Sequence, residues 1–491
     1  MRDLATHPYC EAADLGQPLP DSPHAVSVAI PLWEHVIGYE ENDRAITDRF
    51  QCGYPRFFLH PMVSDLFEAA TAELASDDER ALVFPSAAAA RRCLTYTGDG
   101  RIEPWWGDLT ACVVPETLLS RARMQWRLGG DVVSSRRAEA ILSAASSDEA
   151  AGEVARQAIA ERLATLTGQD RADVRLFPSG MAAFSAAHRA VTSLNPRRST
   201  IQFEFPYVDA LKIQQEAGNG VIFIANPNDL TEVAQEVSQR RVAAVFCEIA
   251  SNPQLRTADL AGLSALLRNE GIPLVVDDTV SSAHNVDVYP YADLVTTSLT
   301  KWFSGMGDVM AGSLIVSRSS PLRDRLHHVL VAEPADALWC ADAVVLEKNS
   351  RDFPERMARI NQTTDAIRDF LKGHPGIERV WHPRDETPAL YEALRRTGGG
   401  HGGLLSFLPK NPATTAPRLY DNWKVNKGPS LGTNFTLACP YLLLAHYPEL
   451  PWCESLGMDR HLLRLSVGLE DADELIRRLE DALERGHSCP Q

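Results

Sequence analysis

Between residues 173 and 318 short, uninterrupted apolar runs alternate with helical segments, and no other feature restricts the fold of this chain more. The runs VRLF, TIQFEF, VIFIA, VAAVFCEI, IPLVVDD, ADLVTTS and AGSLIV are too apolar to leave one face in water, so they read as strands buried on both sides. MAAFSAAHRAVTSL, DALKIQQEAG, DLTEVAQEVSQR and DLAGLSALLRNEG lie between them and supply the covering helices. The pattern predicts a mostly parallel α/β sheet whose ligand site lies beyond the carboxyl ends of the strands.

The flanks have a different texture. Residues 1–150 mix Pro, Trp and short apolar runs without a sustained period, which predicts an α+β N-terminal extension of no evident role. At its end SSRRAEAILSAASSDEAAGEVARQAIAERLATL reads as helix with a break near Ser146-Ser147. The cofactor-sized α/β unit is set at 151–328. A smaller α+β unit follows at 329–491, entered through one long helix over 337–374 and closed by the strand HLLRLSVG and the helix DADELIRRLEDALERG.

With 48 Lys and Arg against 65 Asp and Glu, the formal charge of −17 repels phosphate backbones, so nucleic acid is not an expected partner. An anionic small molecule then needs individually placed cations. No run of ~18 apolar residues is present to cross a bilayer. The nine cysteines form no C-x-x-C pair or zinc spacing, and the first twenty residues lack a basic-then-apolar leader, so the expectation is a cytoplasmic protein without metal.

Strand ends carry the chemistry. They present Ser179, Gly180 and Met181 after VRLF, Tyr207 after TIQFEF, Asn252 after VAAVFCEI, Asp277 and Asp278 after IPLVV, and Ser298, Thr300 and Lys301 after ADLVT. Ser179-Gly180 opens a helix, where free N–H groups favour phosphate, although such a turn also serves simply as a cap. Asp277 at the end of an apolar strand needs a cation or proton donor, or else is a turn residue. Lys301 among hydroxyls and aromatics has the surroundings that lower an amine pKa enough for Schiff-base chemistry. Lysine, acid and phosphate donors together are what pyridoxal 5'-phosphate requires. GMGDVMAG precedes a strand instead of joining strand to helix, which excludes a dinucleotide site, and no G-x-S-x-G elbow occurs.

In that order the motifs SGMAAF, CEIASNPQLRTADL, VVDDTVSSA, SLTKWFSGMGDVMAG, GGLLSF, SLGT and RLSVGLEDADELI, over about 155–485, resemble the Cys/Met-metabolism family of pyridoxal phosphate enzymes. The family includes cystathionine γ-synthases, cystathionine lyases and O-acylhomoserine sulfhydrylases. The N-terminal portion is similar to the extension of the long fungal γ-synthase-like members. The resemblance implies the aspartate aminotransferase-like fold of pyridoxal phosphate-dependent transferases, with a smaller C-terminal α+β domain. It implies Lys301 as Schiff-base lysine and proton shuttle, Asp277 as partner of the pyridine nitrogen, Tyr207 stacked on the ring, and Asn252 at the ring oxygen. Gly180, Met181, Ser298 and Thr300 would hold the phosphate, with Ser179 at the head of the same turn. Arg464 would clamp the substrate carboxylate beside Ser430.

Family members also carry a Tyr-x-Arg that reaches a neighbouring subunit's phosphate. Ser134-Ser135-Arg136 has the favoured position, with Ser for Tyr, whereas Tyr54-Pro55-Arg56 keeps the residue types far upstream; Arg136 is the expectation. Three departures, Asp278 for Asn, Met306 for His and Pro429 for an acidic residue, are expected near the pocket. The implied reaction is γ-substitution on an O-acyl-L-homoserine by a thiol or carbon nucleophile through a vinylglycine ketimine, in a homodimer or homotetramer. β/γ-Elimination from cystathionine, cysteine or methionine, and a noncatalytic regulatory relative, are the competing readings.

Overall fold

A computed structural model describes residues 2–226, 229–239, 241–332 and 337–487. The tail HSCPQ, read in the sequence as carrying no targeting signal, lies almost wholly outside the described residues. Three sheets organise the chain.

The first is antiparallel, ordered β1-β3-β2, from β1 (Glu79–Phe84), β2 (Arg101–Pro104) and β3 (Thr110–Pro115). It has its own core, in which Leu82, Val83, Cys112 and Val113 pack under Leu66, Ala90 and Trp126. Apart from Val26, which packs into that core, the buried residues of 15–52 lie elsewhere. Leu15, Val28, Ile30, Trp33 and Val36 belong to the main core, and Ile30 N–H and Pro31 C=O are tied to Lys427 of the C-terminal sheet. The stretch read as one N-terminal extension thus divides into a segment laid along the body of the protein and a small α+β unit.

The apolar runs form the seven strands of the second sheet: β4 (Val174–Phe177), β5 (Ser199–Phe203), β6 (Val221–Ile224), β7 (Val242–Glu248), β8 (Leu274–Asp277), β9 (Leu294–Ser298) and β10 (Gly312–Val316). Their order is β4-β10-β9-β8-β7-β5-β6, parallel from β9 to β6, with β10 antiparallel to both neighbours. All seven residues of β7 are buried, as a strand covered on both faces requires. The register sets Glu248 beside Asp277 and Asp277 beside Thr296, so the polar ends of three strands form one row.

The third sheet, ordered β11-β12-β15-β14-β13, comprises β11 (Ile377–Trp381), β12 (Leu404–Pro409), β13 (Asn426–Lys427), β14 (Leu437–Pro440) and β15 (Leu463–Ser466). The anticipated break near Ser146 is present: helix Ser135–Leu142 ends, and Asp148 caps helix Glu149–Thr167 by accepting from Ala151 N–H at 2.9 Å. The single long helix expected over 337–374 is instead two, Cys340–Asn349 and Phe353–Gly373. Pro354 explains the break, because a residue without N–H is accommodated at the start of a helix and not within one.

Candidate active site

The row of strand ends opens into a cavity of about 550 Å³. Asp277 ends β8 inside its wall; one carboxylate oxygen accepts from Thr279 N–H at 2.9 Å and the other from the Thr296 hydroxyl at 3.3 Å. Burial pushes this carboxyl up from its ordinary value, against the pull of those hydrogen bonds, and no cation pairs with it among the described residues. Lys301 lies in the turn that leaves β9. Its ammonium donates to Ser430 Oγ at 3.0 Å and sits 4.4 Å from the centre of the Tyr54 ring. Burial lowers the Lys301 pKa; Tyr54 opposes that shift, and the charges of Arg464 and Arg56 add to it. The SLG turn approaches so closely that a Cβ at Gly432, φ +76°, would meet Trp302 N at 2.6 Å, and only glycine tolerates both constraints.

At the opposite wall the helix Gly180–Leu194 points its N-terminus into the cavity, with Gly180 and Met181 lining it. The first N–H groups of a helix have no internal acceptor and carry its positive end. Ser298 Oγ lies beside them, buried and without a hydrogen-bond partner among the described residues, and a Cβ on Gly180 would come within 2.7 Å of its Cβ. Two expected phosphate residues play other parts. Ser179 Oγ donates to Gly130 C=O at 2.7 Å and accepts from Ala182 N–H at 3.0 Å, so it is the helix cap. The Thr300 hydroxyl is engaged with Ala311 N–H and C=O at 3.0 and 3.3 Å and pins the strand-connecting loop outside the cavity.

Arg464, on β15, is buried and lines the cavity, stacked 4.5 Å from the centre of Tyr441. Its guanidinium donates to Ser430 and Pro429 C=O at 2.8 and 3.2 Å and reaches Asn252 Oδ1 at 3.4 Å, with no carboxylate partner among the described residues. Tyr207 lines the wall beside Arg56, and its backbone N–H donates to Glu248 at 2.5 Å. Burial raises the Tyr207 phenol well above 10, although Arg56, donating to its hydroxyl at 2.8 Å, pulls the other way.

The two candidate arginines are placed differently with respect to this chain's own cavity. Arg136 does not line the cavity; it pairs with Asp342 at 3.2 Å and Asp308 at 3.6 Å. Arg56 lines it, nearly inaccessible, held by Asp209 at 2.5 Å and Arg127 C=O at 2.9 Å. Packing of Phe50 and Cys52 into the main core brings the adjoining Tyr54 and Arg56 to the cavity, a placement that sequence order does not show. Of the three departures only Pro429 lines the cavity; Asp278 turns to Thr297 at 2.5 Å and Met306 is 38% exposed. Glu248, Tyr441 and Arg127 were missed. Glu248 had the same strand-end signal as Asp277, whereas Tyr441 and Arg127 had none.

Residues 150–484 match the family described as Cys/Met metabolism PLP-dependent enzyme. The chain belongs to that family. It is 32% identical over 608 aligned residues to a cystathionine gamma-synthase of Neurospora crassa, covering 96% of this chain and 98% of that one. It is 33% identical over 492 to an L-2-amino-4-chloropent-4-enoate dechlorinase/desaturase of Streptantibioticus cattleyicolor, covering 95% and 98%. In structure it resembles the cystathionine gamma synthase of Xanthomonas oryzae pv. oryzae in complex with cystathionine, with a TM-score of 0.60 and 25% identity over 68% of this chain and 87% of that one. The fold is that of the pyridoxal phosphate-dependent transferases and the cofactor is pyridoxal phosphate. The residues fit it: an orphaned hydroxyl beside a helix N-terminus suits a phosphate, a buried carboxyl without a cation suits a pyridine nitrogen, and a desolvated lysine suits an aldehyde. Among the described residues no group of His, Cys, Asp and Glu has the arrangement of a metal site, and no helix is long and apolar enough to cross a membrane.

Proposed function

We propose that this enzyme catalyses γ-substitution on an O-acyl-L-homoserine, replacing the acyloxy group at Cγ with a thiol or a carbon nucleophile. The observation that carries the reading is one cavity holding both a desolvated lysine and a buried guanidinium with no carboxylate partner among the described residues. When bound, pyridoxal phosphate supplies an aldehyde for the substrate nitrogen and a pyridine ring that accepts electron density from Cα. Asp277 would keep the ring nitrogen protonated, and Gly180, Met181 and Ser298 would hold the phosphate.

Arg464 is oriented by two backbone carbonyls, so its remaining N–H groups are available for a bidentate grip on the substrate carboxylate. That grip turns Cα and Cβ toward Lys301. Burial keeps the Lys301 amine closer to its neutral form than a surface lysine, and Ser430 fixes its direction, so Nζ would take the Cα proton, pass it on to the bound cofactor and, neutral again, take a Cβ proton as the acyloxy group leaves. Tyr207, retained as a phenol, accepts from Arg56 and keeps its own O–H proton to donate. Because Tyr54 and Arg56 line the cavity of their own chain, the reading needs no second subunit to supply them.

Elimination is the second reading, favoured by the likeness to a dechlorinase/desaturase. Incubation with O-acetylhomoserine, alone and with a thiol or a β-keto acid, followed by mass spectrometry, distinguishes the two. A thioether or carbon-linked amino acid supports substitution; keto acid and ammonia as the sole products under every condition reject it.

A further inference from the structure

The charged groups of the cavity are nearly all accounted for within the chain. Arg56 and Arg127 share Asp209, which is fully buried between them. Lys212 pairs with Glu449 at 3.2 Å, and Glu248 accepts from Tyr207 N–H. Arg464 and Asp277 are taken up by the first substrate and the cofactor in the reading above. Two carboxylates remain without a cation among the described residues: Glu248, held by the Tyr207 N–H, and Glu40, which has no such donor. Glu40 closes the helix Trp33–Glu40 and lines the cavity, yet no Lys, Arg or His pairs with it among the described residues. Its carboxyl is pushed up to about 7 by burial, with the charge of Arg127 pulling the other way, so the protein leaves it only partly compensated. Glu40 comes from the segment preceding residues 150–484 and shares the wall with the side chains of Tyr39 and Asn42.

We propose that Glu40 is a specificity-determining residue that receives the ammonium group of the second substrate, so that the preferred nucleophile is an amino-bearing thiol. The inference rests on the substitution reading. The first substrate cannot supply this cation, because its nitrogen is committed to the cofactor. A small thiol bearing an ammonium group therefore finds a carboxylate in the outer wall, whereas a thiol bearing only a carboxylate gains nothing there and meets a like charge.

The test uses the holoenzyme with saturating O-acetylhomoserine and three thiols: cysteine, cysteamine, which carries only the ammonium, and 3-mercaptopropanoate, which carries only the carboxylate. The wild-type protein is expected to have a higher kcat/KM for both ammonium-bearing thiols, and Glu40→Gln is expected to reduce that preference by about 10-fold or more, the worth of one charge-assisted hydrogen bond. Wild-type indifference to the ammonium, or preference for 3-mercaptopropanoate, overturns the inference without recourse to a variant. An equal loss with all three thiols in Glu40→Gln also overturns it, and points instead to thiol deprotonation. Turnover with no thiol or carbon acceptor removes the substitution reading itself, and this inference with it.

Discussion

The inner and outer walls of the cavity are built in different ways. The inner wall, with Asp277, Ser298, Lys301 and the Gly180 turn, comes from consecutive strand ends of one sheet, and its geometry follows from the strand register. The outer wall, with Glu40, Tyr54, Arg56 and Arg127, comes from residues far upstream, brought in by packing of Leu15, Ile30, Trp33 and Phe50 onto the main core and by the Arg56–Asp209–Arg127 bridge. The groups proposed to be catalytic thus sit where backbone hydrogen bonding fixes position, while the wall proposed to meet the incoming partner rests on side-chain packing and ion pairs. The inner wall should accordingly govern whether the reaction runs, and the outer wall which nucleophile it uses.

Substitutions break this comparison in graded ways. Lys301→Ala should have the largest effect, abolishing turnover and the visible absorbance of the bound cofactor while leaving the fold intact, as measured by steady-state assay, absorbance and circular dichroism. Arg56→Ala leaves Asp209 buried with only Arg127, and loss of one partner of a buried pair costs about 3–5 kcal/mol of stability. Cofactor titration of that variant should also show weaker binding, whereas Arg136→Ala should leave cofactor affinity unchanged; the reverse result would restore Arg136 to the site. Arg464→Ala should weaken substrate binding by about 2–5 kcal/mol, an increase in KM of ~30-fold or more. If both affinity and rate stay at wild-type level, the carboxylate assignment fails.

The smallest effect concerns stability. Asp278 is wholly buried, with one oxygen unpartnered, and burial raises its pKa to about 7. A carboxyl whose folded pKa is raised from 3.8 favours folding fully below the unfolded value and loses that contribution as pH rises to the folded one. Asp278→Asn should therefore gain stability relative to wild type by on the order of 1.4 kcal/mol per pH unit across that window and by no more above it. Thermal unfolding at pH 4, 5.5 and 8 checks this. A difference that does not change with pH would show that Asp278 does not titrate with folding.

The contrast between the walls also explains what was legible. Alternating apolar runs imply a sheet, a sheet implies a site at its carboxyl ends, and Asp277, Ser298 and Lys301 follow from position alone. The same rule, applied one strand earlier, reaches Glu248. Ser179 and Thr300 stand at those ends too but turn to the backbone, because a hydroxyl at a cap or loop satisfies the nearest unpaired amide. Nothing in the order of residues placed Arg56 in the cavity, since sequence proximity to the site motif favoured Arg136.

By itself the sequence determined the class of sheet, the family, and the strand ends that carry Lys301 and Asp277, because local hydrogen bonding and period decide which residues end a strand. The tertiary structure alone decided which arginine enters the cavity, which hydroxyls face it, and that an N-terminal segment supplies its outer wall. Those outcomes depend on long-range burial and on where an ion pair can be desolvated together, and neither is encoded at fixed spacing along the chain.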